Sequence, residues 1–148
     1  MNDAANPNRF SPLPDSQVSH GQARLMEVVF PGDTNHLGSA FGGHILSLMD
    51  KVAAFAAWRL SRAEAVVTAS IDRVDFKVPI RQGDILELVG QVEGIGRSSM
   101  RVRVEVFREE RRTGLQSLAT VGHFVMVALD ESGLPAPVDL QALERLAR

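Results

Sequence analysis

A chain of 148 residues, 45% hydrophobic and 23% charged, is long enough for one domain with a sizeable core and has an ordinary globular balance. Its net charge of −2 excludes a polyanion binder by bulk charge, so any anion site must come from local clustering of arginine and lysine. The absence of cysteine excludes disulfides, thiolate nucleophiles and cysteine-held zinc or iron–sulfur centres, and is consistent with a reducing cytoplasm.

The first twenty residues, MNDAANPNRFSPLPDSQVSH, are rich in Asn, Pro and Ser and lack the basic start and apolar core of a signal peptide. They read as a disordered tail over 1–20, followed by a single domain over 21–138. ARLMEVVF reads as a first strand, ended by the turn signal Pro31-Gly32-Asp33. A loop to Phe41 precedes a helix from about Gly43 to Leu60, in which Ile45, Leu48, Met49, Val52, Phe55 and Ala56 recur at three and four. Leu46, Ala53, Ala57 and Leu60 form a second apolar stripe, so other structure must wrap this helix.

Beyond Glu64 the period changes to that of strands. AVVTASIDRVDFKV ends at Pro79, DILELVGQVEGIG follows a Gly83-Asp84 turn, and SSMRVRVEVFREE alternates cleanly. ERRTG is a hairpin turn, and LQSLATVGHFVMVAL is a last strand, apolar on both faces. Residues 139–148 form a C-terminal tail with the makings of a short helix. No apolar run is long enough to span a membrane. One buried helix among hairpin-linked strands requires a sheet that curls around it. The expected class is α+β, an antiparallel sheet wrapped around one long central helix, the hotdog arrangement.

Asp50 stands on the greasiest segment of the chain. Seven residues from Gly43, it falls within about 20° of the same helix face, with Leu46, Ala53, Ala54 and Ala57. Aspartate is a poor mid-helix residue, because its side chain competes for backbone hydrogen bonds. Such a carboxylate is either a site or half of a structural pair with an arginine such as Arg73 or Arg103. Gly42 and Gly43 open the helix, where amides lack internal partners and the dipole is positive. Glycine there allows a ligand close to the backbone, or simply a tight turn. A carbonyl oxygen that becomes an oxyanion would be stabilised at this point. Asn35, in the preceding loop, can orient a water, donate to a carbonyl, or shape an Asx-turn. Seven residues span about 10 Å, too far for one carbonyl to meet both Gly43 and Asp50 of one helix, whereas an antiparallel helix of a second subunit can bring its own Asp50 near.

The segments FPGDTNHLGSAFGGHILSLMD, FKVPIRQGD, VEGIGRSSMRVRVEVF and ATVGHFVMVALDESGLPAPV resemble the acyl-CoA thioesterase (acyl-CoA hydrolase) family of the hotdog fold, over about residues 23–138. The resemblance implies hydrolysis of acyl-CoA to a free acid and CoA. It implies that Asp50 and Asn35 act in that hydrolysis, Asp50 as general base or as nucleophile. It places the thioester carbonyl at the Gly42-Gly43 helix start, with the Gly43 N–H at the oxyanion. It also implies a homodimer or a hexamer built as a trimer of dimers. His36 and His44 fill positions where relatives vary; His44, next to Gly43, is counted only among candidate substrate contacts.

Coenzyme A carries phosphates, so basic residues should line its path. Lys77 and the Arg97-Ser98-Ser99 turn, which matches a family segment, are the expected contacts. Arg81, Arg108, Arg111 and Arg112 read as solvated strand ends. No metal or other cofactor is expected, since a thioester is already activated and the histidines show no metal spacing. The basic residues are too sparse for nucleic acid. Two alternatives remain at this point: a hotdog hydratase or dehydratase acting on acyl thioesters, and a non-catalytic acyl-CoA-binding protein.

Overall fold

The computed structural model describes residues 10–146. In chain order the elements are β1 (Ser11–Pro12), β2 (Gln22–Val28), α1 (Gly42–Ser61), β3 (Ala65–Phe76), β4 (Ile85–Ile95), β5 (Ser99–Glu109), β6 (Gln116–Leu129) and α2 (Leu140–Leu146). The strands make one antiparallel sheet. β1 and β2 share one edge of β4, followed by β5, β6 and β3. α1 contacts every strand from β2 to β6, so the sheet does curl around it.

Alternation explains the packing. Leu86, Leu88 and Val92 of β4, and Met100, Val102, Val104 and Val106 of β5, form a buried row on the face toward the helix. They meet Ile45, Leu48, Met49, Val52, Ala53, Ala56, Ala57 and Leu60, the buried side of α1. Phe124 and Met126 of β6 complete this core. Gly90 lets the two layers approach: a β-carbon there would lie 2.7 Å from Val52 Cγ1 and 3.1 Å from the Val52 carbonyl oxygen. The other face of β6 also holds apolar side chains, Val121 and Val125, both buried.

Two expectations need correction. Residues 10–20 pack against the domain: β1 pairs with Gly94 and Ile95, and a 3-10 turn over Asp15–Gly21 buries Gln17, with Leu13 in the core. The apolar residues of this stretch suffice to dock it despite its prolines. Residues 1–9 of the expected tail lie outside the described residues. Phe55, placed by its spacing in the core stripe, is 42% exposed, because the core side of α1 is already filled by smaller residues at 52, 53, 56 and 57. Strand β3 is largely exposed, an edge strand whose one neighbour among the described residues is β6. Among the described residues no helix is long and apolar enough to cross a membrane.

Gly90→Ala should lower the unfolding free energy by about 1–3 kcal/mol, the usual cost of overpacking a filled core, as read from denaturant or thermal unfolding. Helix and sheet cannot separate at this point without disturbing Val52.

Candidate active site

The loop from Asp33 to Phe41 is stitched in place before the helix begins. Asn35 N–H donates to the Ser39 carbonyl at 2.8 Å, and the side-chain Oδ1 of Asn35 accepts from Leu37 N–H at 2.9 Å and Ser39 N–H at 3.2 Å. The Asx-turn, one of the alternatives for this residue, is therefore present. It consumes the oxygen and leaves the Nδ2 amide free to donate, with no partner among the described residues. Ala40 N–H donates to the Ile80 carbonyl, and Gln82 N–H to the Gly38 carbonyl, tying this loop to the turn before β4. That turn is held by Asp84, a buried carboxylate that accepts from Arg81 N–H at 2.8 Å and pairs with Arg108 Nε at 3.2 Å. Arg108 is thus structural.

α1 starts with Phe41 at its cap and no side-chain cap bond. The first amides with partners are those of His44 and Ile45, both donating to the Phe41 carbonyl. Among the described residues the N–H groups of Gly42 and Gly43 have no acceptor. A β-carbon at Gly43 would meet nothing within 4 Å, and one at Gly42 would make ordinary contact, 3.4 Å, with the ring of Phe76. Neither glycine has positive φ. Packing and backbone conformation within the chain therefore do not require glycine at either position.

Two turns on, Asp50 is partly buried and accepts a hydrogen bond from Thr68 Oγ1 at 2.5 Å. The arginines offered as structural partners bond elsewhere, Arg73 to Asp75 and Arg103 to Glu105. Ala53 and Ala57 turn into the core, while Leu46 and Ala54 border the carboxylate side of the helix. Thr68 escaped the sequence reading. Register shifts between Thr68 and Ser70, and between Ile71 and Arg73, make the residues paired with the inward row of β6 recur at three: Thr68, Ile71 and Val74, then Phe76. This row faces α1, with Thr68 beside Asp50 and Phe76 beside Gly42. No feature of the sequence alone marks the two bulges.

The remaining candidates divide between two ends of the sheet. Lys77 follows Phe76 and is exposed near the Gly42-Gly43 end. Arg97, Ser98 and Ser99 form the β4–β5 turn at the opposite end. There Ser99 pairs with Val127, one row from the Met126 that pairs with Thr68. The Ser98 carbonyl accepts from Ala128 N–H and that of Arg97 from Val138 N–H, while the Ser99 hydroxyl is buried without a partner. His44 Nε2 lies 3.6 Å from Asp33 Oδ2, and His36 is exposed. His123 is on the sheet face away from α1, 3.8 Å from Glu93. Burial and then the Arg101 guanidinium hold its imidazole below the ordinary 6.5. None of the three histidines stands beside Asp50. Among the described residues no three His, Asp or Glu side chains converge to hold a metal ion.

The model of the thioesterase superfamily matches residues 37–115, from the Asn35 loop through β5. The chain belongs to the thioesterase superfamily. It is 46% identical over 110 residues to the uncharacterized acyl-CoA thioester hydrolase YkhA of Bacillus subtilis, covering 74% of this chain and 63% of that protein. Among solved structures, an apo-hexameric acyl-CoA thioesterase superposes with a TM-score of 0.79 at 44% identity, covering 87% of this chain and 85% of the other. An acyl-CoA hydrolase from Staphylococcus aureus, in complex with butyryl-CoA, CoA and CoA disulfide, gives 0.78 at 36% identity, covering 88% and 87%. Variants of that hydrolase carry an asparagine, an aspartate or a threonine changed to alanine. Fifteen residues separate the asparagine from the aspartate there, as fifteen separate Asn35 from Asp50. The threonine follows the aspartate by seventeen, against eighteen for Thr68.

Gly43→Ala should leave the thermal midpoint unchanged or raised, since the methyl enters open space and alanine favours helix. Calorimetry of the purified variant checks this.

Proposed function

We propose that the protein is an acyl-CoA thioester hydrolase: acyl-CoA and water give a free carboxylic acid and CoA, with CoA entering only as part of substrate and product. The observation that carries the reading is the pairing on α1 of an open Gly42-Gly43 amide start, without acceptors among the described residues, with the Asp50 carboxylate, without a cation partner among them. Asp50 is the general base. Thr68 fixes its Oδ1, leaving Oδ2 to take a proton from water as the water adds to the carbonyl carbon. The Gly43 N–H, at the positive end of α1, stabilises the oxyanion. The tetrahedral adduct collapses with loss of the CoA thiolate, which takes up the proton from Asp50 and restores the carboxylate. The free Nδ2 of Asn35 donates to the carbonyl or holds the attacking water. The asparagine–aspartate spacing shared with the altered residues of the S. aureus hydrolase supports the roles of Asn35 and Asp50. The cytosolic acyl coenzyme A thioester hydrolase of rat, 32% identical over 131 residues, supports a cytoplasmic location.

The site is shared between two chains. Along one helix Gly43 and Asp50 stand about 10 Å apart, while a reacting carbon must sit about 3 Å from both donor and attacking water. β3 exposes an unpaired edge of 12 residues, with Val67, Ile71 and Phe76 uncovered. A second copy pairing there antiparallel sets the Gly43–Lys77 end of one chain against the Asp50–Arg97–Ser99 end of the other. The contacts separated within one chain are thereby gathered into one site. Three such dimers make the hexamer, the state in which the apo-hexameric relative was solved.

Asp50→Asn should reduce kcat by 10²–10⁴-fold, the usual contribution of a general base, with the fold intact by circular dichroism. A free-thiol assay across acyl-CoAs reads it, and separates hydrolysis from enoyl-CoA hydration and from binding without turnover. Retention of more than about a tenth of wild-type kcat removes Asp50 from the base role. Gly43→Ala should lose activity too, despite its intact stability. Single turnover in ¹⁸O-labelled water should leave Asp50 unlabelled; label in its carboxylate identifies it as a nucleophile instead.

Sharing is tested by mixing. Asp50→Asn and Asn35→Ala chains, each nearly inactive alone, should recover up to about a quarter of wild-type activity when co-refolded, because half of randomly paired dimers are mixed and half their sites are whole. Mixtures that stay inactive while heterodimers form show that both residues act within one chain.

A further inference from the structure

We propose that a second cleft, between the C-terminal half of α1 and β2, binds a nucleoside phosphate. The cleft has a volume of about 520 Å³ and is lined by Ala23, Arg24, Phe55, Trp58, Arg59 and Arg62. That volume lies within the usual range of small-molecule pockets, about 300–1,000 Å³. Its charge is not balanced internally. Arg24 pairs with Glu87 at 2.6 Å. Arg59 donates to the Gln22 carbonyl, a neutral partner. Arg62 has no carboxylate partner among the described residues. Two guanidinium charges therefore face the cleft uncompensated, where a phosphate can take the paired donors of each fork.

The rings complete the specificity. Phe55 and Trp58 are 42% and 50% exposed, and the indole N–H of Trp58 donates to the Ala63 carbonyl at 2.7 Å. That bond holds the indole in place beside the arginines, so a flat base can stack without first ordering the ring. A purely apolar ligand has no use for the arginines, and inorganic phosphate has none for the rings. Arg59 leans toward β2 rather than the last carbonyls of its own helix, so interaction with the helix end does not explain its place. The chain closes α1 with Arg62 in left-handed backbone, its N–H bonded to the Trp58 carbonyl, which sets its guanidinium at the mouth of the cleft.

Trp58 is eight residues from Asp50, about 12 Å along the axis. Eight residues also turn about 80° around the axis. The cleft opens toward β2, while Asp50 faces Thr68 of β3 at the opposite edge of the sheet, so the cleft and the carboxylate lie on different flanks of α1 and share no residue. The bound group has two sources, the nucleotide end of acyl-CoA or a free nucleotide acting as an effector. Only the first rests on the proposed function.

Trp58 is the chain's only tryptophan, so its emission reports from inside the cleft. ADP titrated onto the full-length protein should change that emission saturably. Arg62→Asn, which suits left-handed backbone, and Arg59→Gln should each weaken ADP binding about tenfold or more, as expected for loss of a charged contact, with circular dichroism unchanged. If the cleft holds the substrate's nucleotide end, both variants raise KM for acyl-CoA but not for the corresponding S-acyl-pantetheine. If it holds a free effector, ADP alters wild-type hydrolysis of both substrates and that response is lost in the variants. No saturable response of Trp58 to ADP or CoA, including because a second copy covers the cleft, overturns the proposal, as does a response that both variants keep at full affinity. A protein whose Trp58 responds to ADP but which hydrolyses no acyl-CoA removes the proposed function and leaves the cleft standing.

Discussion

An α-helix rises about 1.5 Å per residue, and this fixes the distance between the free amides that open α1 and the carboxylate two turns along it. The helix cannot bend to shorten that distance, because Ile45, Met49, Val52, Ala53, Ala56 and Ala57 are locked into the sheet that surrounds them. A rigid ruler of this kind divides the chemistry. One end of the helix carries the Gly42 and Gly43 amides, without acceptors among the described residues, and two turns along it stands the Asp50 carboxylate. The same division separates the basic candidates, with Lys77 at the first end and the Arg97–Ser99 turn at the second.

The edge strand translates that division into an assembly. β3 keeps its hydrogen-bonding edge open and its apolar side chains uncovered, which in a finished monomer would be an aggregation hazard. Its two bulges do more than interrupt the ladder. They change the inward spacing from two to three, so that Thr68 reaches Asp50 while Phe76 reaches the start of α1. In the proposed dimer an antiparallel partner on this edge would reverse the ends, and the reversal would compensate for the fixed length of the helix.

Much of this was legible in the sequence. The 3.6-residue period of Ile45 to Ala56 gave the central helix, and the alternation of Met100 to Val106 gave a strand with one buried face. Five of the strands followed from turn signals. The two-residue β1 and the packed turn at Asp15 did not, since a stretch rich in proline and serine carries no period, and what docks it is the burial of Leu13 and Gln17. Phe55 was misplaced because periodicity reports which residues are apolar, while exposure depends on how far the sheet reaches around the helix. Asn35 was singled out by the family resemblance, whereas Asp50 and Gly43 were visible as local exceptions. Thr68 was not, because bulges are fixed by pairing with β6 and leave no mark in the strand itself. The division of Lys77 from Arg97–Ser99 also required the sheet topology.

Those local exceptions carry a measurable weight. Glycine in a helix costs up to about 1 kcal/mol relative to alanine, and aspartate in its middle roughly 0.7 kcal/mol. A buried neighbour does not require glycine at 43, and an arginine does not pair with the carboxylate at 50. Within one chain these positions therefore lower stability without a packing return, in the element on which the whole core rests. Each base-catalysed factor of ten corresponds to about 1.4 kcal/mol of barrier, so the two to four orders of magnitude that a general base contributes outweigh the local loss. A ligand that approaches Gly43 and uses Asp50 would account for both residues, and the open space above Gly43 is where a thioester carbonyl would enter.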